Sequence, residues 1–110
     1  MHRTLIVARM APGSAPDIAE LFAASDQGEL PEVIGVTGRS LFQFGELYFH
    51  LIESDRPTEA QIAKAASHPE FKRLSQDLQA YVSAHDPATW RSPKDAMAQE
   101  FYRWERPALR

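Results

Sequence analysis

Apolar positions along this chain repeat with two different periods, and the switches between them outline the elements. Residues 3–10, RTLIVARM, form a β-branched apolar run between charged ends and predict a strand. Pro12 and Gly13 break it. Ser14 with Asp17 three residues later gives a capping-box-like start, and Ile18, Leu21 and Phe22 follow at helical spacing. A first helix is therefore expected over residues 14–26, ended by Gly28 and Pro31. Two strand-like runs come next, 33–44 and 46–54, parted at Gly45 as in a tight hairpin. Thr58 with Gln61 opens a short helix to about residue 66. Ser67 with Glu70, and Pro69 in the first turn, opens a longer one. Phe71, Leu74, Leu78, Tyr81 and Val82 line one face of that helix. A loop over 85–94 leads to a last strand at 97–105.

The order is β-α-β-β-α-β with the second helix in two pieces. Right-handed crossovers and one hairpin then give an α+β, ferredoxin-like fold: an antiparallel four-stranded sheet with the helices on one face. One domain is expected over residues 1–110. The hairpin is apolar on both sides, with Ile34, Val36, Phe42 and Phe44 on one face and Val33 and Leu41 on the other. A sheet apolar on both sides needs a second cover, and a second copy of the chain is the simplest, giving a homodimer. The alternative is a monomer that exposes the patch.

Composition narrows the chemistry. The chain carries a net charge of −3 with acids and bases interspersed, which argues against a nucleic-acid surface. It has no cysteine, so disulfides, thiolate metal sites and cysteine nucleophiles are excluded. No run reaches membrane-spanning length, and the first ten residues are too short and too charged for a leader, so the expectation is a cytoplasmic protein. No metal-ligand histidine spacing, phosphate loop or nucleophile elbow occurs.

The candidate site residues are polar groups where the pattern calls for apolar ones. Continuing the stripe of the first helix lands on Ser25 and Asp26. An acid near a helix C-terminus is disfavoured by the dipole, which suits a group that exchanges protons; a solvated turn residue is the alternative. In the hairpin, a two-residue turn places Arg39 on one face with Tyr48, His50 and Ile52. Arg39 can then hold an oxyanion, and His50, with a pKa near neutrality, can move a proton. A three-residue loop would separate the two, and a satisfied core histidine is the other reading of His50. His68 reads as local structure beside a helix cap, and His2, His85 and Asp86 as solvated. Tyr102 and Trp104 alternate onto one face of the last strand, where they could flank a flat substrate or pack an interface.

RTLIVARM, FAASDQGELPEVIGVTGRSLFQFGELYFHLIE, SHPEF and EFYRWE together resemble the tetracenomycin-type aromatic polyketide cyclases over nearly the whole chain. The block ELP…IGV…R…LF…F…LY.HLIE is its specific part. The resemblance implies a dimeric α+β barrel, one pocket per subunit, and aldol condensation with dehydration of a poly-β-ketone, without metal or coenzyme, in antibiotic or pigment biosynthesis. It implies a polyketide substrate, free or delivered by a synthase acyl carrier protein. It places Asp26, Arg39 and His50 at family site positions, while the family's histidine before the aspartate is Ser25 here. His50 is then the acid/base, Arg39 the oxyanion partner, and Asp26 a second proton shuttle or an orienter of His50. Phe22, Phe42, Tyr48, Phe49 and Trp104 are the candidate pocket walls, with Ser25 beside them. The rival readings are a cofactor-free monooxygenase acting on an anthrone and a non-catalytic synthase partner.

Overall fold

A computed structural model describes residues 2–90 and 93–107; two positions of the expected 85–94 loop, 91 and 92, lie outside the described residues. Strand β1 (His2–Met10) leads into α1 (Ala15–Ser25), a short α2 (Leu30–Ile34), the hairpin strands β2 (Val36–Phe44) and β3 (Leu47–Ser54), α3 (Thr58–Ala65), α4 (Pro69–Leu78) and β4 (Val82–Ala84). The four strands form one sheet in the order β2-β3-β1-β4, with every pair antiparallel. This is the expected α+β, ferredoxin-like arrangement.

The helix ends differ from the expected capping boxes. Ser14 precedes α1 but its hydroxyl donates to the Ala11 carbonyl at 2.6 Å rather than accepting from the helix. Thr58 is inside α3, and its hydroxyl meets that of Ser54 at 2.7 Å in a buried pair. At α4 the cap is His68, not Ser67: its Nδ1 accepts the Glu70 N–H at 3.1 Å.

Residues 33 and 34 are not in the sheet. Pro31 sits in the first turn of α2, where its missing N–H costs nothing, so it starts a helix instead of only ending one. Gly35, at φ 85°, closes α2 in the left-handed conformation, and a Cβ there would meet the Asp55 carboxylate and the Arg56 guanidinium. Ile34 is thereby buried with Leu30, Ile52, Ile62 and Ala65.

Gly45, at φ 60°, opens a two-residue turn that pairs Phe44 with Leu47, Leu41 with His50 and Arg39 with Ile52. The ladder shifts between Val36 and Gly38, so Val36 pairs with Ser54. This bulge corrects the expected faces: Val36 turns inward with Arg39 and Leu41, while Phe42 and Phe44 point out. Strand β3 alternates without a break, Tyr48, His50, Ile52 and Ser54 being buried and their neighbours half-buried.

The fourth strand is also corrected. It is Val82–Ala84, which pairs with residues 8–10 of β1; the expected strand at 97–105 is reduced to a bridge between Ile6 and Met97 and one bond from the Ala98 N–H to the Leu5 carbonyl. Beyond it, Phe101, Tyr102 and Trp104 are exposed. Among the described residues, no helix is long and apolar enough to cross a membrane.

Candidate active site

The inner face of the sheet and the four helices line an open cavity of about 440 Å³. Small side chains leave it open: Ala8 of β1 pairs with Ala84 of β4, so the floor there has no bulk. Above it, α4 has no fully buried residue; its stripe of Phe71, Leu74 and Leu78 faces the open space. Ile6, Val36 and Ile52 complete the floor, with Phe22 of α1, Ile34 of α2 and Ile62 of α3 as walls. A cavity of this size and apolar character accepts a small organic molecule.

Its polar end is built from the hairpin and the end of α1. Arg39 on β2 and His50 on β3 are diagonal neighbours on the inner face, and Nη1 of Arg39 lies 2.7 Å from Nε2 of His50. Arginine only donates, so Nε2 accepts and the imidazole proton sits on Nδ1. Asp26, at the C-cap of α1, takes two further N–H groups of the same guanidinium: Nη2 donates to Oδ1 at 2.8 Å, and Nε reaches both oxygens at 3.1–3.2 Å. Three of the five guanidinium N–H groups are used in this way, so two can still meet a substrate oxygen. The Arg39 carbon Cζ lies 4.8 Å from the Phe22 ring centre, a cation–π contact that fixes the plane of the fork. Phe22 also meets His50 edge-on, with ring centres 4.9 Å apart.

His50 is 5% exposed. Burial, and secondarily the adjacent Arg39 charge, push its pKa down to about 3. This corrects the expectation of a histidine titrating near neutrality: the ring is neutral at working pH. Burial pushes the Tyr48 phenol up, outweighing the opposing pull of Arg39, so Tyr48 stays protonated in the cavity wall.

The structure thus brings Arg39, His50 and Asp26 together, with Phe22 and Tyr48 beside them. Asp26 reaches the site through Arg39, so it orients the guanidinium rather than the imidazole. Three expected wall residues are elsewhere. Phe42 and Phe49 face each other on the outer side of the sheet, and Trp104 is 64% exposed beyond the last β-bridge. Ser25 is displaced too: it lines a separate cavity of about 160 Å³ between α1 and α4, where its buried Oγ has no hydrogen-bond partner among the described residues. The sequence reading missed Ser75 and Gln79 of α4, and Trp90 after β4, all of which line the main cavity. The signal for the first two was present, as polar residues four apart within the stripe of Phe71, Leu74 and Leu78.

One group among the described residues has ligand atoms close enough for a metal: Glu29, His68 and Glu70, within 4.8 Å of one another. It lies where the segment after α1 meets the start of α4, outside the lining of the main cavity, and the Nδ1 of His68 is already engaged as the helix cap.

Comparison with known proteins gives the same direction. A family model described as polyketide synthesis cyclase matches residues 2–105. An uncharacterized protein of Streptomyces coelicolor is 64% identical over 107 residues, 96% of each chain. The polyketide synthase CurG of Streptomyces cyaneus is 58% identical over 106 residues, covering 96% of this chain and 99% of that protein. Tetracenomycin F2 cyclase of Streptomyces glaucescens is 40% identical over 106 residues, 96% of each. Its solved structure, described as a type-II polyketide cyclase, superposes with a TM-score of 0.90 at 39% identity, covering 97% of this chain and all of that one. With the family model spanning the strands, the helices and the cavity between them, the chain belongs to the polyketide synthesis cyclase family.

Proposed function

We propose that this protein is an aromatic polyketide cyclase that closes a ring of a poly-β-ketone by intramolecular aldol condensation and dehydration. The observation that carries the reading is the polar end of the cavity: one guanidinium, clamped by Asp26, donating to a neutral buried imidazole. A carbon between two carbonyls is already acidic, and folding the chain so that it faces a distant ketone removes most of the entropic barrier. The free N–H groups of Arg39 hold the carbonyl oxygen that becomes the enolate. His50 is a weak base in the resting cavity, chiefly because it is buried and secondarily because the Arg39 charge stands against it. As negative charge grows on the bound oxygen it offsets that charge and draws the Arg39 N–H away from Nε2, whose freed lone pair takes the proton that leaves carbon. The enolate carbon then forms the new C–C bond, the ketone oxygen becomes an alkoxide, and the imidazolium returns its proton there. Loss of water completes the aromatic ring. These steps move protons and expel one water, with no change of oxidation state.

The protein acts on this reading as a cytoplasmic homodimer in antibiotic or pigment biosynthesis, on a substrate that is free or carried by an acyl carrier protein, with no nucleic-acid or membrane partner. A second copy is the occupant we assign to the outer sheet face, where Leu5, Val7, Leu47, Phe49 and Leu51 are half-buried and Phe42 and Phe44 are exposed. The test is turnover of a poly-β-ketone in anaerobic buffer. The expected product equals the substrate minus water and forms as fast as in air. Strict dependence on oxygen, with an oxygen atom gained, would replace the cyclase reading by a monooxygenase.

A further inference from the structure

The cavity has a second polar region, and the topology sets it apart from the first. Arg39 stands on β2, one edge strand of the sheet, and β4 is the other edge. Three strand spacings separate them, roughly 14 Å across the sheet. Gln79 is the C-cap of α4, three residues before β4 begins, and Ser75 is one turn earlier on the same face. Both line the cavity, together with the Trp90 indole, which is 41% exposed.

A poly-β-ketone bears an oxygen on every second carbon. A molecule with one oxygen on Arg39 and a body spanning the sheet must bring further oxygens to the β4 side. Against an apolar wall those oxygens would lose water without gaining a partner. Ser75 and Gln79 offer neutral donors and acceptors there, suited to ketones and phenols rather than to an anion.

We propose that Ser75 and Gln79 form a distal subsite for the keto and phenolic oxygens at the far end of a flat polyoxygenated substrate. The subsite fixes which carbon stands opposite Arg39 and His50, and so which ring closes. This inference rests on the cyclase reading of the cavity and adds residues to it that touch the unreacting end.

The test uses the full chain and two flat probes, a dihydroxyanthraquinone with one hydroxyl on each outer ring and its monohydroxy analogue. Binding is followed by quenching of tryptophan fluorescence, since Trp90 lines the cavity. Wild type is compared with Ser75→Ala/Gln79→Ala, with Gln79→Met, and with Arg39→Gln. The double variant should weaken the dihydroxy probe about 10- to 30-fold, the loss of two neutral hydrogen bonds, and leave the monohydroxy probe nearly unchanged. Gln79→Met keeps length and apolar packing; if it weakens the dihydroxy probe as a lost amide does, the effect is recognition rather than packing. If Arg39→Gln weakens both probes while the double variant binds both as wild type does, the subsite is wrong and the cyclase reading stands. If neither probe binds wild type, the cavity reading falls and the subsite falls with it.

Discussion

Replacing His50 by Gln should flatten the acid side of the stability profile. The native ring has a pKa of about 3 against 6.5 for the free side chain, chiefly because it is buried and secondarily because Arg39 stands beside it. Above about pH 6.5 the ring is neutral folded or unfolded, and it contributes no pH dependence. Below that, the unfolded chain takes up a proton that the folded protein refuses, so stability falls with falling pH until about pH 3. Each pH unit in that window costs about 1.4 kcal/mol. Between about pH 6.5 and 5 the loss is therefore about 2 kcal/mol, large against a typical domain stability of about 5–15 kcal/mol. The amide introduced by His50→Gln does not titrate, yet its oxygen can still accept the Arg39 N–H. The assay is urea unfolding by circular dichroism at matched protein concentration across this range, wild type against His50→Gln. Carboxylates titrate in both proteins and cancel in the difference. Wild type should lose about 2 kcal/mol more than the variant. Parallel curves would mean that the native ring already carries a proton, in which case Nε2 could not be accepting from Arg39 and the proton steps proposed for His50 would be wrong.

Arg39→Lys keeps the charge but not the fork shared by Asp26, His50 and substrate, and should lower kcat by about 10²–10³ in steady-state turnover with folding intact. Combined with His50→Gln it should be less crippled than the product of the single effects, because both residues serve one transition state. Phe44, 76% exposed at the end of β2, should tolerate Lys in the monomer but not in a dimer built on the outer face. Light scattering should then shift from twice the chain mass toward 12.4 kDa, and a wild type already at 12.4 kDa would refute that assembly.

Much of the fold was legible because local signals agreed with the topology. Gly45 between two β-rich runs announced a tight hairpin, and of the two turn lengths left open it is the two-residue one that puts Arg39 and His50 on one face. The same register excludes Phe42 and Phe49 from the cavity, since they pair with each other at the opposite parity; aromatic character was allowed to outweigh alternation. Other features carried no local signal. Residues 33 and 34 have the β-branched, apolar look of a strand's start, but Gly35 and the burial of Ile34 against Ile52 and Ile62 decide for a helical turn. Val82–Ala84 is too short to read as a strand and looked like the continuation of α4's apolar face. The depressed pKa of His50 depends on Phe22 and Arg39 closing over it from other elements, which no stretch of sequence around residue 50 reveals.

The two irregularities at either end of β2 act together on the site. Strict alternation from Arg39 would turn Val36 outward, because the two are three positions apart, an odd offset. The bulge between Val36 and Gly38 absorbs one residue, so the strand presents both a guanidinium and an apolar wall to the same cavity. Opposite the bulge, the Glu53 side chain lies over Gly38, where a Cβ would come within 3.2 Å of its carboxylate. The inward Arg39 then settles a problem left by α1. That helix has no basic residue in its last turn, and Asp26 at its C-cap adds negative charge to the negative end of the dipole. Arg39, reaching across from β2, supplies the missing cation, with its side chain 13% exposed and Asp26's 37%. The pair therefore closes the end of α1 against the edge of the sheet, and the same guanidinium that completes the helix terminus is held still at the polar end of the cavity. Positioning of the site and closure of the fold are one set of contacts at this corner, which is why changing Arg39 or Asp26 should disturb orientation of the substrate before it disturbs the cavity walls.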